Sequence, residues 1–146
     1  MADAVKKTIL VTGGSRGLGE FMAKGFLQAG ASRVYITARN AEDCQATAEH
    51  LTQYGECIAL PGNLSSMEEI KALVAELSRR EPAIHVLVNN AGGGGAKPFD
   101  MPMETFIWAY QLNVFSVFHL CQLCAPHMAA EGGGAILNIS SMRCEM

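Results

Sequence analysis

The residues with the clearest chemical potential stand early in the chain, in Thr12-Gly13-Gly14-Ser15-Arg16-Gly17-Leu18-Gly19. The run lies between an apolar, β-branched segment, Thr8-Ile9-Leu10-Val11, and a stretch with helical spacing that opens at Leu18. Glycines in such a place divide the labour. Gly13 permits a tight turn, Gly17 lets the main chain approach a pyrophosphate without a Cβ in the way, and Gly19 lets the helix lie close to the strand. The helix N-terminus then presents unpaired N–H groups and a partial positive charge to phosphate oxygens. A glycine cluster by itself only punctuates a turn, but here strand, turn, helix and second strand follow in the order a dinucleotide site requires. The second strand, Val34-Tyr35-Ile36-Thr37, runs into Ala38-Arg39. A site that holds a ribose 2′-hydroxyl usually places Asp or Glu at that point, and a carboxylate there would repel a 2′-phosphate. Arg39 offers the phosphate a charge-assisted fork instead, and Arg16 in the glycine turn can reach it from the other side. Two arginines where an acid is missing predict NADP(H) rather than NAD(H) as the cofactor.

Strand-like and helix-like patterns alternate along the rest of the chain. Gly30 is placed to end the first helix, whose apolar positions read as Leu18, Met22, Gly25, Phe26 and Ala29. Asn40 is an N-cap candidate for a helix from Ala41 to about Tyr54, with Glu42 and Asp43 suiting its first turn. Cys57-Ile58-Ala59-Leu60 reads as a third strand. Ser66 and Glu69 form a capping box ahead of Ile70, Leu73, Val74 and Leu77, which repeat on one helical face. His85-Val86-Leu87-Val88 and Ala135-Ile136-Leu137-Asn138-Ile139 complete five strands. Between the last two lies a long helix, roughly Thr105 to Ala129, apolar on almost every side and so expected to pack on more than one face. The fold class that follows is α/β, a Rossmann-type doubly wound parallel sheet of strand order 3-2-1-4-5 in a single domain.

The spacing Gly-x-x-x-Gly-x-Gly differs from the general dinucleotide pattern, and here the sequence resembles the short-chain dehydrogenase/reductase family, whose signature is Thr-Gly-x-x-x-Gly-x-Gly. Asn89-Asn90-Ala91-Gly92, Asn113 within Gln111-Leu112-Asn113-Val114, and Asn138-Ile139-Ser140-Ser141 match three further motifs of that family, so the resemblance runs over residues 8–142. It implies cofactor contacts at Gly13, Ser15, Arg16, Gly17, Leu18, Gly19, Arg39, Asn63, Leu64, Asn90, Ala91 and Gly92, and catalytic roles for Ser141 and Asn113. Asn63 departs from the acidic residue that commonly meets adenine after the third strand, though its amide oxygen can still accept from the adenine amino group.

The implied chemistry is hydride transfer between the nicotinamide and a small carbonyl or alcohol substrate. A tyrosine moves the hydroxyl proton, a lysine four residues later lowers that tyrosine's pKa, the serine hydrogen-bonds the substrate oxygen, and the helix asparagine keeps a water-linked proton path in place. The tyrosines here are Tyr35, Tyr54 and Tyr110, followed four residues on by Arg39, Ile58 and Val114, so none forms Tyr-x-x-x-Lys. The resemblance places that pair beyond Met146. The domain is therefore expected to be incomplete at its C-terminal end, truncated before the last strands, and inactive by itself. Met142-Arg143-Cys144-Glu145-Met146 also lacks the glycine often found just after the serine. Within the family the motifs look most like 3-ketoacyl reductases, including the rhamnolipid-type branch. The competing reading is a non-catalytic NADP(H)-binding protein or partner subunit. The family also implies a homodimer or homotetramer, joined through the long helix along Phe106, Tyr110, Val114, Phe118 and Cys121.

Composition narrows the remaining classes. A formal charge of −3 over 146 residues, evenly scattered, gives no footprint for nucleic acid or an anionic membrane. The longest apolar segment, Phe106 to Met128, is interrupted by Gln111, Asn113, His119, Gln122 and His127, which argues against a membrane span. Five cysteines without framework spacing read as reduced thiols of a cytoplasmic protein. His119, Cys121, Cys124 and His127 invite a metal, but a structural zinc normally draws ligands from two elements joined by a turn, so no metal is expected. A redox Cys-x-x-Cys belongs at a helix N-terminus rather than deep in a helix, and core packing is the reading for these thiols. Gly93-Gly94-Gly95-Ala96-Lys97-Pro98 reads as an active-site wall, and Gly132-Gly133-Gly134 as a connection into the fifth strand.

Overall fold

The computed structural model describes residues 4–94 and 98–141, so Gly95 to Lys97 and the terminal stretch with Cys144 lie outside the described residues. Strands β1 (Thr8–Thr12), β2 (Arg33–Thr37), β3 (Cys57–Ala59), β4 (Val86–Asn89) and β5 (Ala135–Asn138) alternate with helices along the chain. They form one sheet in the order β3-β2-β1-β4-β5. Every pairing is parallel, with Ile9 opposite Val34 on one side and Val86 on the other. This is the order expected from the alternation of apolar runs with helical segments.

Period-two alternation sends the strand side chains to two cores. Leu10, Tyr35 and Leu87 point to one face, where they pack with Ile70, Leu73 and Leu77 of α3 (Met67–Arg80) and Leu120, Cys124 and Met128 of α5 (Ser116–Ala130). Ile9, Val11, Val34, Ile36 and Val88 point to the other, against Ala23 and Leu27 of α1 (Gly17–Gln28) and Cys44, Ala48 and Leu51 of α2 (Ala41–Leu51). Because β1 is buried along its whole length, its sequence carries no polar alternation.

The helix starts follow their caps. The Asn40 side chain accepts from the Asp43 N–H, and the Ser66 hydroxyl from the Glu69 N–H. The second half of the capping box is not made. The Ser66 N–H donates to the Asn63 carbonyl at 3.1 Å, and Glu69 accepts from the Asn63 N–H instead. Two other sequence expectations change. The core face of α1 is Gly19, Ala23 and Leu27, while Leu18 and Gly25 are exposed. The close seat of α1 on the sheet selects small residues one turn apart over the bulkier stripe beside them. Helix α2 stops at Leu51, followed by tight turns at Thr52 to Tyr54.

The long helical run before β5 has three parts: α4 (Met103–Tyr110), a π-helical turn at Gln111–Phe115, and α5. Among the described residues it packs on one face, through Leu112, Ser116, His119, Leu120, Cys124 and Met128. The opposite face, with Phe106, Ile107, Tyr110, Val114, Phe115 and Phe118, is exposed. Cys121 does not join that row, since it lies half-buried against the α3–α5 core. Strand β5 is exposed at all four residues.

Candidate cofactor site at the carboxyl ends of the strands

The candidate residues gather where the strands end. The glycine turn leaves β1 and enters α1 at Gly17. A Cβ on Gly19 would collide with the Gly13 carbonyl and stand 2.7 Å from Asn90 Nδ2, so the close approach expected of this position is real. Gly17 has φ +57° and nothing within 4 Å of where a Cβ would point, so its backbone faces open space in a conformation that favours glycine. Helix α1 also begins without a side-chain cap, unlike α2 and α3. Uncapped N–H groups beside an open, left-handed glycine are a fit for phosphate oxygens.

Thr12 ties this turn to the loop after β4. Its hydroxyl, buried to 1% exposure, donates to the Val88 carbonyl at 3.3 Å and accepts from the N–H groups of Asn90 at 3.0 Å and Ala91 at 2.9 Å. The Asn90 amide returns the link, donating to the carbonyls of Thr12 and Gly13 at 3.2 Å each. From the other side Asn113, inside the π turn, holds Gly93 in both directions. Its Oδ1 accepts from the Gly93 N–H at 3.1 Å, while its Nδ2 donates to the Gly93 carbonyl at 2.9 Å and to Ala109 at 2.8 Å. A π turn is a common device at functional positions, and here it contains the residue that reaches back to the strand loop. Asn89 Nδ2 donates to Asn138 Oδ1 at 2.9 Å and the Ile139 N–H to the Asn89 carbonyl at 3.0 Å, which fixes the end of β5 just before Ser140 and Ser141. Ser141 is exposed at that end.

Four sequence motifs therefore form one connected network of hydrogen bonds. The remaining candidates divide. Ser15 is held by its carbonyl, which accepts from the Thr47 hydroxyl at 2.7 Å. Arg16 and Leu18 are exposed on the turn. Arg39 is exposed just past β2, its guanidinium carbon 6.0 Å from the centre of the Trp108 ring. Asn63 Oδ1 already accepts from the N–H and the hydroxyl of Ser65, at 3.0 and 2.7 Å, so an adenine amino group would compete for it. Leu64 is buried in the α3–α5 core, which leaves its main chain rather than its side chain for a ligand. Sequence reasoning missed Thr12, Thr47 and Trp108 as site residues. Thr12 was visible inside the motif, but nothing local shows that a hydroxyl will meet two N–H groups from a loop distant in sequence.

The histidines and cysteines of α5 are scattered around the helix. Cys124 is buried, His119 nearly so, Cys121 half-buried and His127 exposed. Burial pushes the Cys124 thiol up to about 11, with neighbouring Cys121 adding to the rise, and pushes the Cys57 thiol up to about 12. Such thiols stay protonated near neutral pH and make poor nucleophiles.

An open parallel sheet with a glycine turn at its centre and a polar loop network at its carboxyl ends is a Rossmann-type nucleotide-binding domain. The profile described as short chain dehydrogenase matches residues 7–146, and the chain belongs to that family. It is 44% identical over 140 residues to the 7alpha-hydroxysteroid dehydrogenase of Escherichia coli K12, covering 95% of this chain and 54% of that enzyme. It is 43% identical over 138 residues to the rhamnolipids biosynthesis 3-oxoacyl-[acyl-carrier-protein] reductase of Pseudomonas aeruginosa, covering 91% of this chain and 54% of the reductase. Among solved structures, a 7 alpha-hydroxysteroid dehydrogenase complexed with NADH and 7-oxo glycochenodeoxycholic acid superposes with TM-score 0.92 at 42% identity, over 99% of this chain and 57% of that one. The Pseudomonas aeruginosa RhlG/NADP active-site complex superposes with TM-score 0.86 at 40% identity, over 97% and 58%. The chain thus spans little more than half the length of these relatives.

Proposed function

We propose that this chain is the cofactor-binding part of an NADP(H)-dependent oxidoreductase that interconverts a carbonyl and a hydroxyl on a small-molecule substrate. One observation carries the reading. An uncapped helix N-terminus beside Gly17 faces open space, and the neighbouring strand β2 leads to the exposed Arg39 with no carboxylate at Ala38 or Arg39. The relatives include both an NADH and an NADP complex, so the choice between cofactors rests on Arg39 and Arg16.

In this reading the main-chain N–H groups at the start of α1 and the turn Gly13 to Gly19 bind the pyrophosphate, and Arg16 and Arg39 bind the 2′-phosphate. Asn63 and Leu64 border the adenine, and Asn90, Ala91 and Gly92 the ribose between. The bound cofactor supplies the hydride. Ser141 holds the substrate oxygen by a hydrogen bond, and Asn113 positions the loop wall through Gly93. No Tyr-x-x-x-Lys pair occurs among these 146 residues, so no residue here is given the roles of the family's tyrosine and lysine. Likeness to the rhamnolipid-type reductase favours a 3-ketoacyl substrate, while the equally similar hydroxysteroid dehydrogenase marks a sterol-like ring ketone as the alternative.

The exposed row Phe106, Tyr110, Val114 and Phe118 is assigned to contact with a second copy, giving a homodimer or homotetramer. Among the described residues no helix is long and apolar enough to cross a membrane, and a cytoplasmic location belongs to the same reading. Titration of NADPH and NADH by nicotinamide fluorescence tests the cofactor. NADPH should bind more tightly, and Arg39→Asp should reverse the order, losing about tenfold or more in NADPH affinity for one charge-assisted contact at an exposed site. Equal affinities in the unmutated protein would overturn it.

A further inference from the structure

We infer that Trp108 is a specificity-determining positioning residue that holds Arg39 ready for the 2′-phosphate of the cofactor. The inference rests on the NADP(H) reading above and names the part of the fold that enforces it. Arg39 lies just beyond β2, on an exposed segment, and among the described residues no ion pair includes it. Its guanidinium carbon sits over the Trp108 ring at 6.0 Å from the centroid, at the outer limit of a cation–π contact. A ring face steadies a cation without offering it a carboxylate, so the N–H donors of the guanidinium remain available to an anion.

Trp108 is itself well anchored. It packs against the α3–α5 core from α4, and side chains built at Gly93 and Gly94 would meet its indole at 3.6 and 3.5 Å. Gly93 is held in turn by Asn113. The indole therefore lies beside the loop that follows β4, and it meets an arginine that follows β2, with β1 and its glycine turn between those two strands in the sheet. A flexible four-bond side chain is thereby restrained on the side of the site where the 2′-phosphate is expected. Restraining such a side chain before binding spares the ordering cost that a free arginine meets on contact, and NADH, which has no 2′-phosphate, draws no benefit from it.

The test uses the full protein with Trp108→Ala, Trp108→Phe, Arg39→Ala and the double variant Trp108→Ala/Arg39→Ala, each checked for folding by circular dichroism. NADPH and NADH affinities are read by nicotinamide fluorescence. Trp108→Ala should weaken NADPH about three- to tenfold, the scale of one immobilised long side chain, and leave NADH within about twofold. Trp108→Phe should recover most of the loss. In the Arg39→Ala background, removing Trp108 should change neither affinity further. Equal weakening of both cofactors would overturn the inference, because it would make Trp108 a structural support or an adenine contact. An undiminished loss in the Arg39→Ala background would overturn it as well. If Arg39→Ala alone leaves NADPH and NADH unchanged, the cofactor reading itself falls and this inference with it. If Arg39→Ala removes the preference and Trp108→Ala does not lower it, only the inference falls.

Discussion

Thr12→Val should be among the most damaging conservative changes in this chain, and the structure says how damaging. Valine keeps the shape and β-branching of a residue that is 1% exposed, so the strand and the core beside it are preserved. What disappears is a single hydroxyl that accepts from the Asn90 and Ala91 N–H groups and donates to the Val88 carbonyl. Two main-chain donors then lose their acceptor, at about 1–3 kcal/mol for each if fully buried. Asn90 and Ala91 are half-buried, so the low end of that range applies, about 1–1.5 kcal/mol each, and the sum is about 2–3 kcal/mol. For a domain of this size that is a fall of roughly 5–10 °C in Tm. Thr12→Ser keeps every hydrogen bond and loses one buried methyl, a cost of about 1 kcal/mol. Urea unfolding followed by circular dichroism gives the stabilities, and a cofactor titration on each variant shows whether the loop after β4 still closes the site. If Thr12→Ser proves as destabilising as Thr12→Val, the hydroxyl is not what joins β1 to that loop. If Thr12→Val costs under about 0.5 kcal/mol, the two N–H groups find water without difficulty and the network is ornamental.

Three further outcomes follow from the same geometry. The Cys124 thiol is raised by burial to about 11 in the folded chain, while an unfolded thiol ionises near 9, so its contribution to stability should be constant below about pH 9 and decline from there toward pH 11, alongside that of the more strongly raised Cys57; Cys124→Ala should make the decline in urea midpoints shallower, and an unchanged slope would show that other groups set it. Phe118, 68% exposed on α5, should be part of the contact between copies, so Phe118→Asp should dissociate the assembly by light scattering, and an unmutated protein that stays monomeric at high concentration would remove the basis for that contact. A polypeptide of residues 1–146 should bind NADPH without consuming it in the presence of a ketone, since no Tyr-x-x-x-Lys lies within it; steady turnover abolished by Ser141→Ala would show that the proton comes from another group.

The sheet was legible because its strands are short β-branched runs, and buried parallel strands need little else. Asn40 and Ser66 marked two helix starts correctly, since a cap is a local hydrogen bond between residues three apart. The errors fell where the outcome depends on partners distant in sequence. Nearly every residue of α1 from Phe21 to Leu27 is apolar or small, so periodicity could not separate the Ala23–Leu27 face from its neighbours. The π turn carries no composition of its own, and what marks it in the fold is Asn113 reaching Gly93. Arg39 meeting Trp108 and Thr12 meeting Ala91 are contacts that only the closed sheet creates.

These contacts also sort the candidate residues by the kind of work each can do. The amide of Asn90 is engaged by the main chain of Thr12 and Gly13, that of Asn113 by Gly93 and Ala109, and that of Asn89 by Asn138. An amide that donates to backbone carbonyls cannot be replaced by a carboxylate of the same shape, because the carboxylate would only set oxygen against oxygen. That explains why asparagine rather than aspartate suits positions 90 and 113, where the side-chain amides hold the loop after β4 in place. The N–H groups opening α1 and the arginines at 16 and 39 are different in kind: the helix start carries no side-chain cap, and among the described residues no ion pair includes either arginine. In the reading proposed above, recognition therefore lies with main-chain donors and two arginines, mounted on a frame whose asparagine side chains are already committed to it.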